Sequence, residues 1–498
     1  MAEFTFITAD EKGRTKKSDN KLVRSICMRG KNKKPESRRS QRRVKQHATP
    51  KSRKSKKSQS SSPPRNKTVN TEDYIEENVS GTANALDLTP AYGALLSDPK
   101  QDMLMSNASV ITLLDNVDTR SRDILMKYIA YSIESNLLYP VERCLDFYHA
   151  TKNKYAGMVQ QDESFLTSSL LTACSLNDNV MRRSMPSALT TQYLRKLLQR
   201  LNSQISNLND GNIRSVVFTI ITLGNVAAMF GDYPAASTHL QGLERIVSAH
   251  GGKKYLEEYP KFHFKIERLD LSRTLSTGQH PLFRPPSLCP PFSWSPFFPD
   301  STPPSDHLIS TFSLTTSAVP KFAIVYSDLR YLTNLINDKV ATRTYIPTDL
   351  FHGAIHSIQT RLFHLEGLLS DDVAECFRLG MLACLTTTFK LPGRKMEYKN
   401  LADNLRHKLQ AIRITSLGAQ HMVFWVLVMS IVAIFEVDEA WLPQAWEKLL
   451  EEGVSWEEVR TRLRNAIWIT CIHDKPAEQA FEKFELRRKR KAGVGGGE

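Results

Sequence analysis

Ten cations fall within 22 residues: Arg24, Arg29, Lys31, Lys33, Lys34, Arg38, Arg39, Arg42, Arg43 and Lys45. Their chemistry is phosphate neutralisation. Guanidinium and ammonium groups at this density displace counterions from a polyanion, so the affinity they provide falls steeply with salt. Contacts of this kind position a protein on nucleic acid without reading its bases. Two shorter clusters suit a nuclear import receptor: Lys51, Arg53, Lys54, Lys56 and Lys57, and then Arg487, Arg488, Lys489, Arg490 and Lys491. Import is the first reading for those two. For Arg24 to Lys45, nucleic-acid contact and import stand side by side, with a solvated tail as the bland alternative.

The charge is segregated. Residues 1–67 hold 22 Lys and Arg against 5 Asp and Glu, a net of +17; the other 431 residues hold 45 against 47. A cationic arm on a near-neutral body is an electrostatic arrangement for a polyanionic partner. The arm is rich in Ser and carries Pro35, Pro50, Pro63 and Pro64, and it is too polar to offset its ordering entropy by burial. Residues 1–80 are therefore expected to be a disordered basic arm. Within it, Leu22, Val23, Ile26 and Met28 break the charge run and suit a short helix formed on a partner.

Other candidate chemistry is sparse. His352 and His356 stand i, i+4, which is metal-ligand spacing on a helix. No Glu lies between them and the sequence offers no evident third ligand, so the expectation is two ordinary histidines. Asp371, Asp372 and Glu375 read as the acidic first turn of a helix, which the helix dipole favours. The chain has no nucleophile elbow, no HExxH, no phosphate-binding P-loop and no GxGxxG after a strand. No catalytic residue, metal ligand or cofactor is assigned, and an enzyme is not expected.

Seven scattered cysteines, none in a C-x-x-C pair, point to reduced thiols in the nucleus or cytosol. The opening M-A-E-F-T-F-I-T-A-D lacks the pattern of a secretory signal. The longest apolar run, Met422 to Phe435, is shorter than the roughly 20 residues that span a bilayer. It reads as a buried core helix, and no membrane partner is expected.

The body that would carry these groups is predicted to be all-α. A linker covers 81–105 and a large helical domain 106–475, with a tail of basic residues and glycine over 476–498. Apolar residues recur at helical spacing in Leu125–Leu137, around Leu166–Leu171, in Leu194–Leu208, Ile213–Phe230 and Leu240–Val247, and from Ile266. Leu194, Leu198, Leu201, Ile205 and Leu208 step 4, 3, 4, 3, too briefly for a zipper, so a bundle helix is expected. Residues 281–318 interrupt the helices. Nine of the 24 prolines lie between Pro281 and Pro304, interleaved with aromatics, and predict a packed surface loop. Pro296 to Pro299 also fits a PxxP ligand. Helices resume near Val319, with further ones at Ile355–Leu365, Val373–Phe389, Leu401–Ile414, the 422–435 run, and Val454–Ile472.

Three stretches together carry a resemblance: H-L-Q-G-L-E-R-I-V-S-A-H-G-G (His239–Gly252), K-I-E-R-L-D-L-S-R-T-L-S-T-G-Q-H-P-L-F (Lys265–Phe283) and R-L-G-M-L-A-C-L-T-T-T-F (Arg378–Phe389). Their order and spacing resemble the fungal-specific transcription factor domain, over roughly residues 110–475. The N-terminal F-x-F-I-T and V-R-S-x-x-M-R-G elements are similar to a subgroup that begins with a basic segment. The resemblance implies a helical regulatory body, a nuclear location, transcription-protein partners, effector sensing or dimerisation, and no catalysis. Members with a binuclear zinc cluster carry six N-terminal cysteines, whereas only Cys27 lies in the first 143 residues here. Sequence-specific DNA reading is therefore not carried across.

The expected function is a nuclear transcription regulator without a zinc-cluster reader. Its basic arm serves import and non-specific nucleic-acid contact, DNA ahead of RNA. The alternative is an RNA-associated or ribosome-assembly scaffold using the same arm.

Overall fold

The computed structural model describes residues 117–133, 141, 144–145, 162–283, 291–294 and 319–494. The basic arm, the linker and the PxxP stretch lie outside these. Fifteen helices make up the described residues: α1 (Thr119–Ile133), α2 (Glu163–Val180), α3 (Ala188–Ile205), α4 (Ile213–Met229), α5 (Tyr233–Ala249), α6 (Lys253–Glu258), α7 (Pro260–Thr277), α8 (Val319–Thr342), α9 (Thr348–His364), α10 (Asp372–Thr387), α11 (Lys399–Ala411), α12 (Leu417–Ala433), α13 (Leu442–Leu449), α14 (Trp456–Arg464) and α15 (Thr470–Val494). The only β pairing among them is one isolated bridge, Leu145 to Ile346. The all-α architecture follows from the pattern: apolar residues recur at a 3.6 spacing and few stretches alternate.

Helix starts are written locally. Asp162, Ser187, Asp232, Asp371, Ser416 and Ser455 each accept a hydrogen bond from a first-turn N–H. That satisfies one of the donors every helix N-terminus leaves open. At Ser455 the pairing is reciprocal, with Glu458 reaching back to the Ser455 N–H.

The helices enclose two hydrophobic cores. The first is built from α1 to α7 around Leu171, Leu197, Val216, Val217, Leu240 and Leu243. The second is built from α7 to α15 around Ile358, Phe377, Trp425, Val426, Trp446 and Trp468. Helix α7 serves both. Phe262, Ile266 and Leu269 enter the first core, while Phe264, Leu271 and Leu275 enter the second. At 3.6 residues per turn these two sets lie on nearly opposite faces. Between them runs a polar stripe, His263, Glu267, Asp270 and Thr274, at i, i+4, i+7 and i+11. A helix apolar on two faces has its polar residues trapped at the seam.

The 422–435 run forms most of α12, buried along its length beside α10. No helix among the described residues is long and apolar enough to cross a membrane. Burial of its C-terminus leaves the last carbonyls without water. Lys390 and Lys395 supply the missing donors. Lys390 Nζ donates to Val432 O at 3.1 Å, and Lys395 Nζ donates to Ile431 O at 2.7 Å and to Phe435 O. The negative end of the helix dipole favours cations there. Burial, with Lys395 close by, still pushes the Lys390 ammonium down from 10.5 to about 8, while Glu436 acts the other way.

Between about pH 8 and 10.5 the unfolded chain therefore binds more protons at Lys390 than the folded one, and stability from this group rises with pH. Buried Cys144, Cys174, Cys376 and Cys384, each pushed up from 9.0 to about 12, act in the opposite sense above pH 9. The Lys390 contribution is isolated as a difference. Urea midpoints of Lys390→Met should fall more steeply with pH over that window than those of the wild type.

Two expectations are corrected in detail. The anticipated Val454–Ile472 helix breaks between α14 and α15, because Ile467–Ile469 give their backbone to other elements. Trp425 Nε1 donates to Ile467 O at 2.8 Å, and Asn337 Nδ2 donates to Trp468 O at 2.7 Å. His473, fully buried, accepts from Ile469 N at 3.0 Å, so its Nε2 carries the proton given to Thr387 Oγ1 at 2.7 Å. In α3 the buried positions are Thr190, Tyr193, Leu197 and Leu201; Leu194, Leu198 and Leu208 of the leucine ladder pack against the first core partly buried, and Ile205 is exposed. Thr190 donates to buried Asp178 at 2.6 Å and ties the start of α3 to α2.

The proline-rich segment docks where it is described. Trp294 Nε1 donates to Asp328 Oδ1 at 2.7 Å, Arg361 donates to the other oxygen at 2.6 Å, and Phe292 and Trp294 pack against the second core.

Candidate functional site

The polar stripe of α7 meets α9 at the edge of the second core. His263 and Glu267, one turn apart on α7, share a face. His263 Nε2 lies 3.3 Å from Glu267 Oε1. His356, from α9, places Nδ1 in a short contact with the same oxygen. The two imidazoles have centroids 6.2 Å apart. One ligand atom from each of the three side chains falls within 4.8 Å of the others, and this is the one such group among the described residues.

The burial is graded. The Glu267 side chain is 9% exposed, whereas His263 and His356 are 29% and 32% exposed. Burial alone would raise the Glu267 carboxyl. Hydrogen bonds from His263 and His356, with the attraction of their charges, outweigh it and hold the group at about 2. It is a carboxylate at neutral pH. A cleft opens beside it, lined by Asp270, Phe283, His356, Gln359, Thr360 and Phe363.

Asp270 is committed elsewhere. Its Oδ1 accepts from Arg273 Nε at 3.3 Å and NH2 at 3.1 Å, and its Oδ2 accepts from Phe283 N at 2.9 Å. Arg273 also donates to His280 O and to Gln279 Oε1. This network folds the segment after α7 back over the helix and forms one wall of the cleft.

The pairing suggested by sequence is replaced. His352 stacks on Phe264 with centroids 4.4 Å apart and 22° between planes. Burial drives its imidazole down to about 4, so it is neutral. His356 instead joins two residues 89 or more positions earlier in the chain. The missing third ligand was legible only as H-F-K-I-E, an i, i+4 His–Glu pair on a helix. Nothing local says that α9 lies against it.

The acidic triad is structural. Asp371 caps α10 by accepting from Ala374 N at 2.7 Å, Asp372 pairs with Lys408 at 2.8 Å, and Glu375 pairs with Arg378.

The predicted cationic residues divide. Arg24, Arg29, Lys31, Lys33, Lys34, Arg38, Arg39, Arg42, Arg43, Lys45, Lys51, Arg53, Lys54, Lys56 and Lys57 lie outside the described residues. The second cluster, expected in the tail over 476–498, lies on α15, which runs through the anticipated boundary at 475. Arg487, Lys489 and Arg490 are exposed there. Arg488 is occupied, donating to Leu450 O at 2.7 Å and to Glu485 at 3.0 Å, and so caps the end of α13. Lys491 pairs with Glu447 at 3.2 Å.

No protein-family profile, curated protein or solved structure matches the chain.

Proposed function

We propose that this chain is a nuclear transcription regulator of fungal type that lacks a zinc-cluster DNA reader. The helical body makes protein contacts or senses an effector. The basic arm drives import and adds non-specific DNA affinity. One observation carries the reading: a net +17 concentrated in residues 1–67, against a body close to neutrality. The order of the three body stretches, His239–Gly252, Lys265–Phe283 and Arg378–Phe389, and the all-α architecture support it. Exposed Arg487, Lys489 and Arg490 leave three cations of the second cluster accessible to an import receptor.

Removal of residues 12–67 tests it. A fluorescent fusion of the full chain should accumulate in the nucleus, and the truncated chain with Arg487, Lys489 and Arg490 also changed to Ala should not; unchanged nuclear accumulation of that variant would remove the argument. For the DNA half, affinity for an arbitrary duplex should fall by about 10³-fold or more between 50 and 200 mM salt if six or more phosphates are neutralised. Crosslinking that recovers ribosomal RNA instead of chromatin would replace this reading with the RNA scaffold.

A further inference from the structure

We propose that His263, Glu267 and His356 form a binding site for one divalent transition-metal ion of the zinc class, clasping α7 to α9. The donor set is the first reason. Two imidazole nitrogens and one carboxylate oxygen suit zinc and its first-row neighbours, not calcium or magnesium, which take oxygen donors.

Spacing is the second reason. Bonds of 2.0–2.1 Å in a tetrahedral site put neighbouring donor atoms about 3.3 Å apart. His263 Nε2 and Glu267 Oε1 are 3.3 Å apart, and the whole set lies within 4.8 Å. The contact between Glu267 and His356 is shorter than such an edge, and a small rotation of the half-exposed imidazole opens it. All three ligands stand on helices, so side-chain rotation suffices and no loop has to be ordered.

Access is the third. The histidines are partly exposed while the carboxylate is buried, so an ion can enter from solvent and meet a charge already desolvated. The cleft on that side, bordered by Gln359 and Thr360, has room for a water as a fourth ligand. A metal-free account exists: Glu267 accepting hydrogen bonds from two histidines. The two differ in what the protein does with an added ion.

The site is independent of the arm, so it stands or falls separately from the regulator reading. The test uses the full tag-free chain, stripped with chelator and then titrated with Co²⁺ and Zn²⁺. One Co²⁺ per chain should bind with the visible bands of a low-symmetry site, and Zn²⁺ should displace it. Glu267→Gln and His356→Ala should each weaken Zn²⁺ binding by more than about 10-fold, as loss of a ligand must exceed the 10- to 100-fold cost of losing an outer-shell partner. His352→Ala, one turn away on α9, should leave it unchanged. If a single variant fails to fold by circular dichroism, His263→Gln replaces it. Absence of stoichiometric uptake by the wild type overturns the proposal. So does wild-type affinity in a folded His263→Gln/His356→Asn double variant.

Discussion

Gly393→Ala should destabilise the protein by about 3–5 kcal/mol, among the largest effects a single methyl group produces. Gly393 has φ +100, and a Cβ there would lie 2.2 Å from Asn179 O and 2.6 Å from Asn179 C. Those atoms are backbone at the end of α2, so no side-chain rotation relieves the clash. The same residues join the two cores. Arg394 N donates to Asn179 O at 3.1 Å, Asn179 Nδ2 donates to Pro392 O at 2.8 Å, and Arg394 donates to Met229 O at 2.9 Å. Displacing this strap, residues 392–394, would also pull Lys390 and Lys395 from the end of α12. Gly453 provides the control. Its φ is +80, and an added methyl would meet nothing within 4 Å. Gly453→Ala should cost only the conformational strain, about 1–2 kcal/mol. Urea unfolding of the two variants separates clash from strain, and equal losses would mean the strap yields.

Loss of the Arg378–Glu375 pair should be comparably costly. Arg378 donates Nε and NH2 to the two oxygens of Glu375, both at 2.7 Å, and NH1 to Leu362 O at 3.1 Å near the end of α9. Removing one partner of a buried pair costs about 3–5 kcal/mol, chiefly because the other charge is left uncompensated. The Arg378 side chain is 3% exposed and that of Glu375 17%. The guanidinium is therefore the worse charge to strand, and Glu375→Leu should destabilise more than Arg378→Met. The double variant should recover part of the loss, since a well-packed apolar pair carries no desolvation cost. Denaturation midpoints of the three variants check the order. A double variant as unstable as the sum of the singles would show that the pair is not coupled.

The local layer of this fold is readable from its residues because local chemistry sets it. Asp371 and Ser416 start helices by bonding an N–H three residues on, which needs no distant partner. The run from Met422 is apolar on all sides and could only be buried. The break at Ile467–Ile469 is different. Trp425 and Asn337, far along the chain, donate to its carbonyls, which local spacing does not reveal.

The candidate site divides along the same line. His356 was conspicuous for its spacing from His352, yet those two side chains serve different ends: one stacks on Phe264 and the other reaches Glu267. The sequence alone determined that the body is helical and that its positive charge is gathered in the first 67 residues. Tertiary packing decided that α7 is walled on two faces by separate cores. That burial forces its polar stripe to find partners at the seam, and α9 is the helix that brings a third donor there.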